Sequence, residues 1–130
     1  MSAVATQVII ILTEGKSDNG RHAVLAFSCG LSALAMGQQA AVYLTSDGAV
    51  WGYTGSSEGI TVPGFPPLQQ LMDDYLATGG RLLLCSVCER TCGAGGPQTG
   101  TGLKHLPQVE LAGFATMLEL ATNNGVCITF

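Results

Sequence analysis

Three of the chain's five cysteines crowd into one short segment, Cys85-Ser86-Val87-Cys88-Glu89-Arg90-Thr91-Cys92. Spaced three and then four apart, they fall within about 60° of one another on a helix, so one face can bring all three thiols together. Cys85-x-x-Cys88 resembles a redox pair, in which the first thiolate attacks and the second thiol resolves, and Cys92 lies one turn further on as another acceptor. The same spacing also suits a metal: Cys85, Cys88 and Cys92 with His105 as a fourth ligand for zinc, or three thiolates on an iron–sulfur cluster. Against this, a structural zinc site usually joins two separate ligand pairs, and no second pair is visible. A third reading stays open, in which three small side chains simply face a core.

Val8-Ile9-Ile10-Ile11-Leu12 is a β-branched run ending at Thr13-Glu14-Gly15, as expected of a strand buried on both faces of a parallel sheet. Ser17-Asp18-Asn19 offers capping oxygens for a largely apolar helix from Ala23 to Gly37. Ala40-Ala41-Val42-Tyr43-Leu44 reads as the second strand, closed by Thr45-Ser46-Asp47-Gly48. Between Ala49 and Gly64, Trp51 and Tyr53 lie among glycines without a sustained period, which suggests a short helix and a loop. Pro66-Pro67 opens a helix carrying Leu68, Leu71, Met72, Tyr75 and Leu76 at helical spacing, and Gly79-Gly80 stops it. Arg81-Leu82-Leu83-Leu84 is the third strand and runs straight into the cysteine cluster. From Gly93 to Gly102 the composition is that of a surface loop. Val109 to Ala112, Phe114 to Thr122 and Val126 to Phe130 then give strand, helix and strand. The alternation predicts an α/β fold: an open, mainly parallel five-stranded sheet with helices on both faces.

In such sheets ligands bind beyond the carboxyl ends of the strands. That edge collects Thr13, Glu14, Lys16, Ser46, Asp47, Cys85, Ser86 and the turn Ala112-Gly113. The rule also separates Cys85 from the other cysteines, because a thiol where a strand gives way to a helix meets the positive end of the helix dipole, which favours the thiolate. Phosphate-binding patterns fail. Between Gly95 and Gly100 the spacing is that of a P-loop, but Thr101 stands where the lysine must be.

One domain, residues 1–130, fits the length. The net charge is −4 and the five basic residues are scattered, which disfavours nucleic-acid binding. Only 11% of residues are charged against 47% hydrophobic, so part of the surface is expected to be covered by copies of the same chain. The apolar stretch from Ala23 falls short of the roughly 20 residues of a membrane span, and no signal-peptide pattern opens the chain. A cytoplasmic protein is expected, with its odd number of cysteines reduced rather than paired.

The order of these motifs, from Thr13-Glu14-Gly15 through Ala35-Met36-Gly37, Val42-Tyr43-Leu44-Thr45-Ser46-Asp47-Gly48 and Leu82-Leu83-Leu84-Cys85 to Glu110-Leu111-Ala112-Gly113, resembles the DsrE/DsrF-like family. The resemblance spans nearly the whole chain. It implies a flavodoxin- or Rossmann-type sandwich assembling into trimers or hexamers. Sulfur-relay members such as DsrE and TusD carry a cysteine in this strand-to-helix position that accepts sulfur as a persulfide; by position that residue is Cys85. The implied function is a sulfur carrier that takes sulfur from a donor protein and passes it to an acceptor thiol, with Cys88 resolving or accepting in turn and no cofactor required. Cys88 and Cys92 depart from single-cysteine relay members. The alternatives are a non-catalytic oligomeric module binding a small ligand or protein, and the metal site above.

Overall fold

The computed structural model describes residues 7–91, 104–122 and 124–130. Five strands, β1 (Gln7–Leu12), β2 (Gln39–Leu44), β3 (Arg81–Cys85), β4 (Val109–Ala112) and β5 (Gly125–Thr129), form one sheet in the order β4-β3-β2-β1-β5, every neighbouring pair parallel. The helices are α1 (Arg21–Ala35), α2 (Leu68–Ala77), α3 (Ser86–Thr91) and α4 (Phe114–Thr122). Steps from β1 to β2 and from β2 to β3 run one way across the sheet, whereas the step from β4 to β5 returns past all of them. Right-handed crossovers therefore place α1 and α2 on one face and α4 on the other.

The two faces are unequally filled. Toward α1 and α2 lie Ile10, Leu12, Val42, Leu44, Leu82 and Leu84 with Phe27, Trp51 and Tyr75, the main core. Phe27 meets Tyr75 edge to face at 5.4 Å, and the Tyr75 hydroxyl donates to the Arg81 carbonyl at 2.6 Å, so a buried phenol closes the α2–β3 connection. Toward α4 the cluster is smaller: Ala41, Tyr43, Leu83, Cys85 and Ala112, with Met117 and Leu120 above. No residue of α4 is fully buried, and Phe114 and Leu118, one turn apart, are each 56% exposed. Between β3 and β4 on this face, Arg81 grips Glu110 through Nε at 3.1 Å and Nη2 at 2.9 Å.

Most expected elements stand within a residue or two of their sequence bounds. The exceptions follow from local chemistry. The Ser46–Gly52 segment is a 3-10 helix, where a short helix and loop had been expected from Ala49 onward. Trp51 is fully buried within it and donates Nε1–H to the Glu14 carbonyl at 2.9 Å, which ties this segment to the end of β1. Asp18 accepts the amides of Gly20 at 3.0 Å and His22 at 2.9 Å, and also pairs with the His22 ring, so capping comes from Asp18 alone of the three candidates. Cys85 is the last residue of β3, one beyond the run Arg81-Leu82-Leu83-Leu84. The expected loop from Gly93 to Gly102 and Cys92 lie outside the described residues. Among the described residues, no helix is long and apolar enough to cross a membrane.

Candidate functional site

Strand alternation decides which way Cys85 points. Leu82 and Leu84 face the main core, so Leu83 and Cys85 face α4. The register sets Cys85 beside Ala112 of β4, and Leu84 beside Leu44 of β2, which brings Thr45 next to Cys85 where β2 ends. Tyr43, two residues back on β2, shares the Cys85 face and is fully buried. Its hydroxyl lies 3.4 Å from the Ala112 carbonyl, so the phenol reaches across β3 to the strand beyond.

Cys88 sits on the first turn of α3 and is half-buried, at the rim where the two faces meet, packing against both clusters. Its sulfur accepts the Ser46 N–H at 3.1 Å and lies 3.6 Å from the Thr45 hydroxyl. Ser46 delivers that amide from a left-handed backbone, φ +55°, a conformation that costs a non-glycine residue of order 1 kcal/mol and persists where surrounding contacts demand it.

The Cys85 sulfur is surrounded by donors. Burial alone pushes its pKa up, but the Cys88 amide, the Tyr43 hydroxyl, the Cys88 thiol and the Thr45 hydroxyl together outweigh it and bring the thiol down to about 7. Cys85 thereby takes the part a serine or aspartate oxygen plays at a helix start, accepting the amide of the residue three positions on. Burial, then the hydrogen bond to Cys85, drives the Tyr43 phenol far above its ordinary pKa, so Tyr43 keeps its proton when Cys85 has lost its own. The sulfur whose donors favour the thiolate is thus the inner one, 1% exposed, beneath a second that is half-buried at the rim.

The other sequence candidates divide. Ser46 joins the thiols. Ser86 opens α3, and Gly113 opens α4 by accepting the Met117 amide at 3.4 Å. Thr13 is committed elsewhere: its amide and hydroxyl both bind the Phe130 carbonyl, at 3.0 and 3.1 Å. Glu14 gives its carbonyl to Trp51 and its carboxylate to the Ser17 hydroxyl at 3.2 Å. Asp47 is exposed, its backbone packed against Gly15. His105 forms an isolated bridge to Tyr53, the rings 5.0 Å apart. Among the described residues, no three His, Cys, Asp or Glu side chains gather where they could hold a metal ion. Cys29 lies on α1, across the sheet, and Cys127 is exposed on β5, beyond β2 and β1.

Two contributors were missed from sequence, Tyr43 and Thr45. A tyrosine in an otherwise aliphatic strand signals a hydroxyl that needs a buried partner. Which partner depends on strand pairing.

The DsrE/DsrF-like family matches residues 7–130. The chain belongs to this family. A solved structure, the YchN protein from E. coli, superposes with a TM-score of 0.65 at 17% identity, covering 96% of this chain and 99% of YchN, which establishes the shared fold. No curated protein matches the chain in sequence. Within the DsrE/DsrF-like fold, the thiol pair stands at the carboxyl end of β3, as expected from the strand-end rule.

Proposed function

We propose that this chain is a sulfur carrier of the thiol-exchange type, holding sulfur as a persulfide on Cys85 and exchanging it through Cys88. The observation that carries this is the sealed Cys85 sulfur, ringed by donors that favour its thiolate, lying against a half-buried Cys88 sulfur. A donor persulfide R–S–SH meets the Cys88 thiol first; the outer sulfur bonds to Cys88, giving Cys88–S–SH, and the Cys88 proton leaves with the donor as R–SH. The Cys85 thiolate then attacks that outer sulfur, giving Cys85–S–SH and passing the negative charge to Cys88. There the Ser46 amide and Thr45 hydroxyl receive it. Delivery to an acceptor thiol is the same pair of exchanges reversed. Neither exchange has a net redox change or needs a cofactor. Family membership supports the reading in general terms, through the relay members that resemblance brings to this strand end.

Incubation with a low-molecular-weight persulfide, followed by intact mass, tests it. The wild type is expected to gain one sulfur atom that survives gel filtration. Cys85→Ser should lose the retained sulfur, and Cys88→Ser should load at least about tenfold more slowly, because the remaining thiol is sealed. Sulfur retained undiminished in Cys85→Ser overturns the assignment. Cys85 and Cys88 both inert to a small alkylating reagent would favour the non-catalytic module instead.

We also propose that the carrier works as a homo-oligomer, with α4 covered by a second copy. The support is the Phe114–Leu118 ridge on a helix without a single fully buried residue, in a chain only 11% charged. Sedimentation should show a species at a multiple of 13.4 kDa, and Leu118→Glu should shift it toward the single chain. A wild type that sediments as one chain refutes this.

A further inference from the structure

Tyr43 is one of the two residues of this site that the sequence does not single out. Its ring is fully buried, packed edge to face on Phe114 at 6.2 Å, and its hydroxyl stands between the Ala112 carbonyl and the Cys85 sulfur. Ala112 is the register partner of Cys85 and Tyr43 that of Leu83, two residues earlier on the same face, so the phenol reaches diagonally past β3 to the Cys85 end of β4. A phenol has a single proton to donate. While Cys85 is a thiol, that proton can serve the Ala112 carbonyl and the S–H can donate to the phenol oxygen. Once Cys85 is a thiolate, a rotation about the phenol C–O bond turns the same proton onto the sulfur.

We propose that Tyr43 is a catalytic residue of the thiol pair, the donor that holds negative charge on the Cys85 sulfur until sulfur arrives from Cys88. The proposal rests on the exchange described above and adds the group that stabilises its inner end. The outer end has the Ser46 amide as donor and the inner end has Tyr43 together with the Cys88 amide, while the Thr45 hydroxyl stands within reach of both sulfurs. In the exchange Cys85–S⁻ + Cys88–S–SH → Cys85–S–SH + Cys88–S⁻, the charge passes from the inner donors to the outer. The Tyr43 proton stays on oxygen throughout and swings back to Ala112. Tyr43 is thus a donor and not a base.

Among the described residues, the groups around the sulfur are Tyr43 and Thr45 from β2, Cys88 from α3 and Ala112 from β4, with Met117 and Leu120 of α4 packed on the same cluster. Among these only Tyr43 and Cys88 titrate. The charged side chains on this face of β3 and β4, Arg81 and Glu110, are paired with each other.

Tyr43→Phe keeps the ring against Phe114 and removes only the donor. Alkylation of Cys85 by iodoacetamide, resolved by site with mass spectrometry, should give a pH profile whose midpoint moves up by about one unit. Near neutral pH the rate then falls by up to about tenfold, and it converges with the wild type in strong alkali, where both thiols are ionised. A change in packing alone would lower or raise the rate at every pH. Superimposable profiles overturn the proposal; because no sulfur donor is used, that result leaves sulfur carriage standing. Should Tyr43→Phe fold poorly, the wild type supplies the second measurement. Its near-ultraviolet tyrosine absorbance should shift with the Cys85 midpoint and stay flat in Cys85→Ser. A flat wild-type signal likewise overturns the role.

Discussion

Gly48→Ala should destabilise the protein by about 3 kcal/mol or more, lowering the melting temperature by roughly 10 °C, and should disable the thiol pair in whatever fraction remains folded. A Cβ at Gly48 would lie 2.1 Å from the Leu12 carbonyl oxygen and 2.8 Å from its carbon. Both are backbone atoms of a fully buried strand end, so neither can yield as a flexible side chain would. Gly48 also donates its amide to the Thr13 and Thr45 carbonyls, at 3.1 and 3.0 Å, which fixes the turn after β2 against the turn after β1. Forcing these apart moves Thr45 and Ser46, and with them the hydrogen bonds to Cys88. Gly113→Ala is the control: the nearest atom to its Cβ is the Ser86 hydroxyl at 4.0 Å, so a change below about 1 kcal/mol is expected. Equal thermal shifts for the two variants would contradict this account of the turn.

Unfolding free energy should rise with pH between about 7 and 9, and Cys85→Ser should abolish most of that rise. The sign follows from the direction of the shift. The Cys85 thiol is brought down to about 7 in the folded chain from 9.0 for an ordinary thiol, because the surrounding donors favour the thiolate despite burial. The unfolded chain therefore binds more protons in this window, and stability grows as pH rises. The contribution is complete above pH 9 and lost as pH falls through 7. Two units correspond to at most about 2.7 kcal/mol. Cys29 works oppositely: burial raises its pKa, so its contribution declines above pH 9. Urea titrations at several pH values between these limits read the effect. A wild-type slope no steeper than that of Cys85→Ser would mean that the sulfur is not held as an anion.

The sheet was legible because its strands are short β-branched or leucine runs bounded by turn residues, and the alternation with helices left parallel pairing as the natural arrangement. The nearness of Cys85 and Cys88 was legible from their spacing, although Cys85 ends β3 and meets Cys88 as a cap residue meets the first turn, not as a neighbour on one helix face. Side-chain direction at the strand ends was not. The strand-end rule selects loops, and Thr13 and Glu14 sit in the right loop with their polar groups spent on Phe130, Trp51 and Ser17. Tyr43 and Thr45 entered the site only through the register of β2 on β3, a long-range property that periodicity within one strand does not contain. Division of labour in the pair was equally hidden. Spacing brings two thiols together, whereas packing seals the Cys85 sulfur and leaves Cys88 half-buried.

Cys127 has a practical value apart from any of this chemistry. It is exposed on an edge strand, with β1 and β2 between it and β3, so it lies about 14 Å from the strand of Cys85 at ordinary strand spacing. Every labelling experiment on this protein therefore contains a bystander thiol in the same molecule, exposed to the same reagent for the same time. Ratios of Cys85 to Cys127 modification cancel errors in dose and protein concentration, giving the chain its own internal standard.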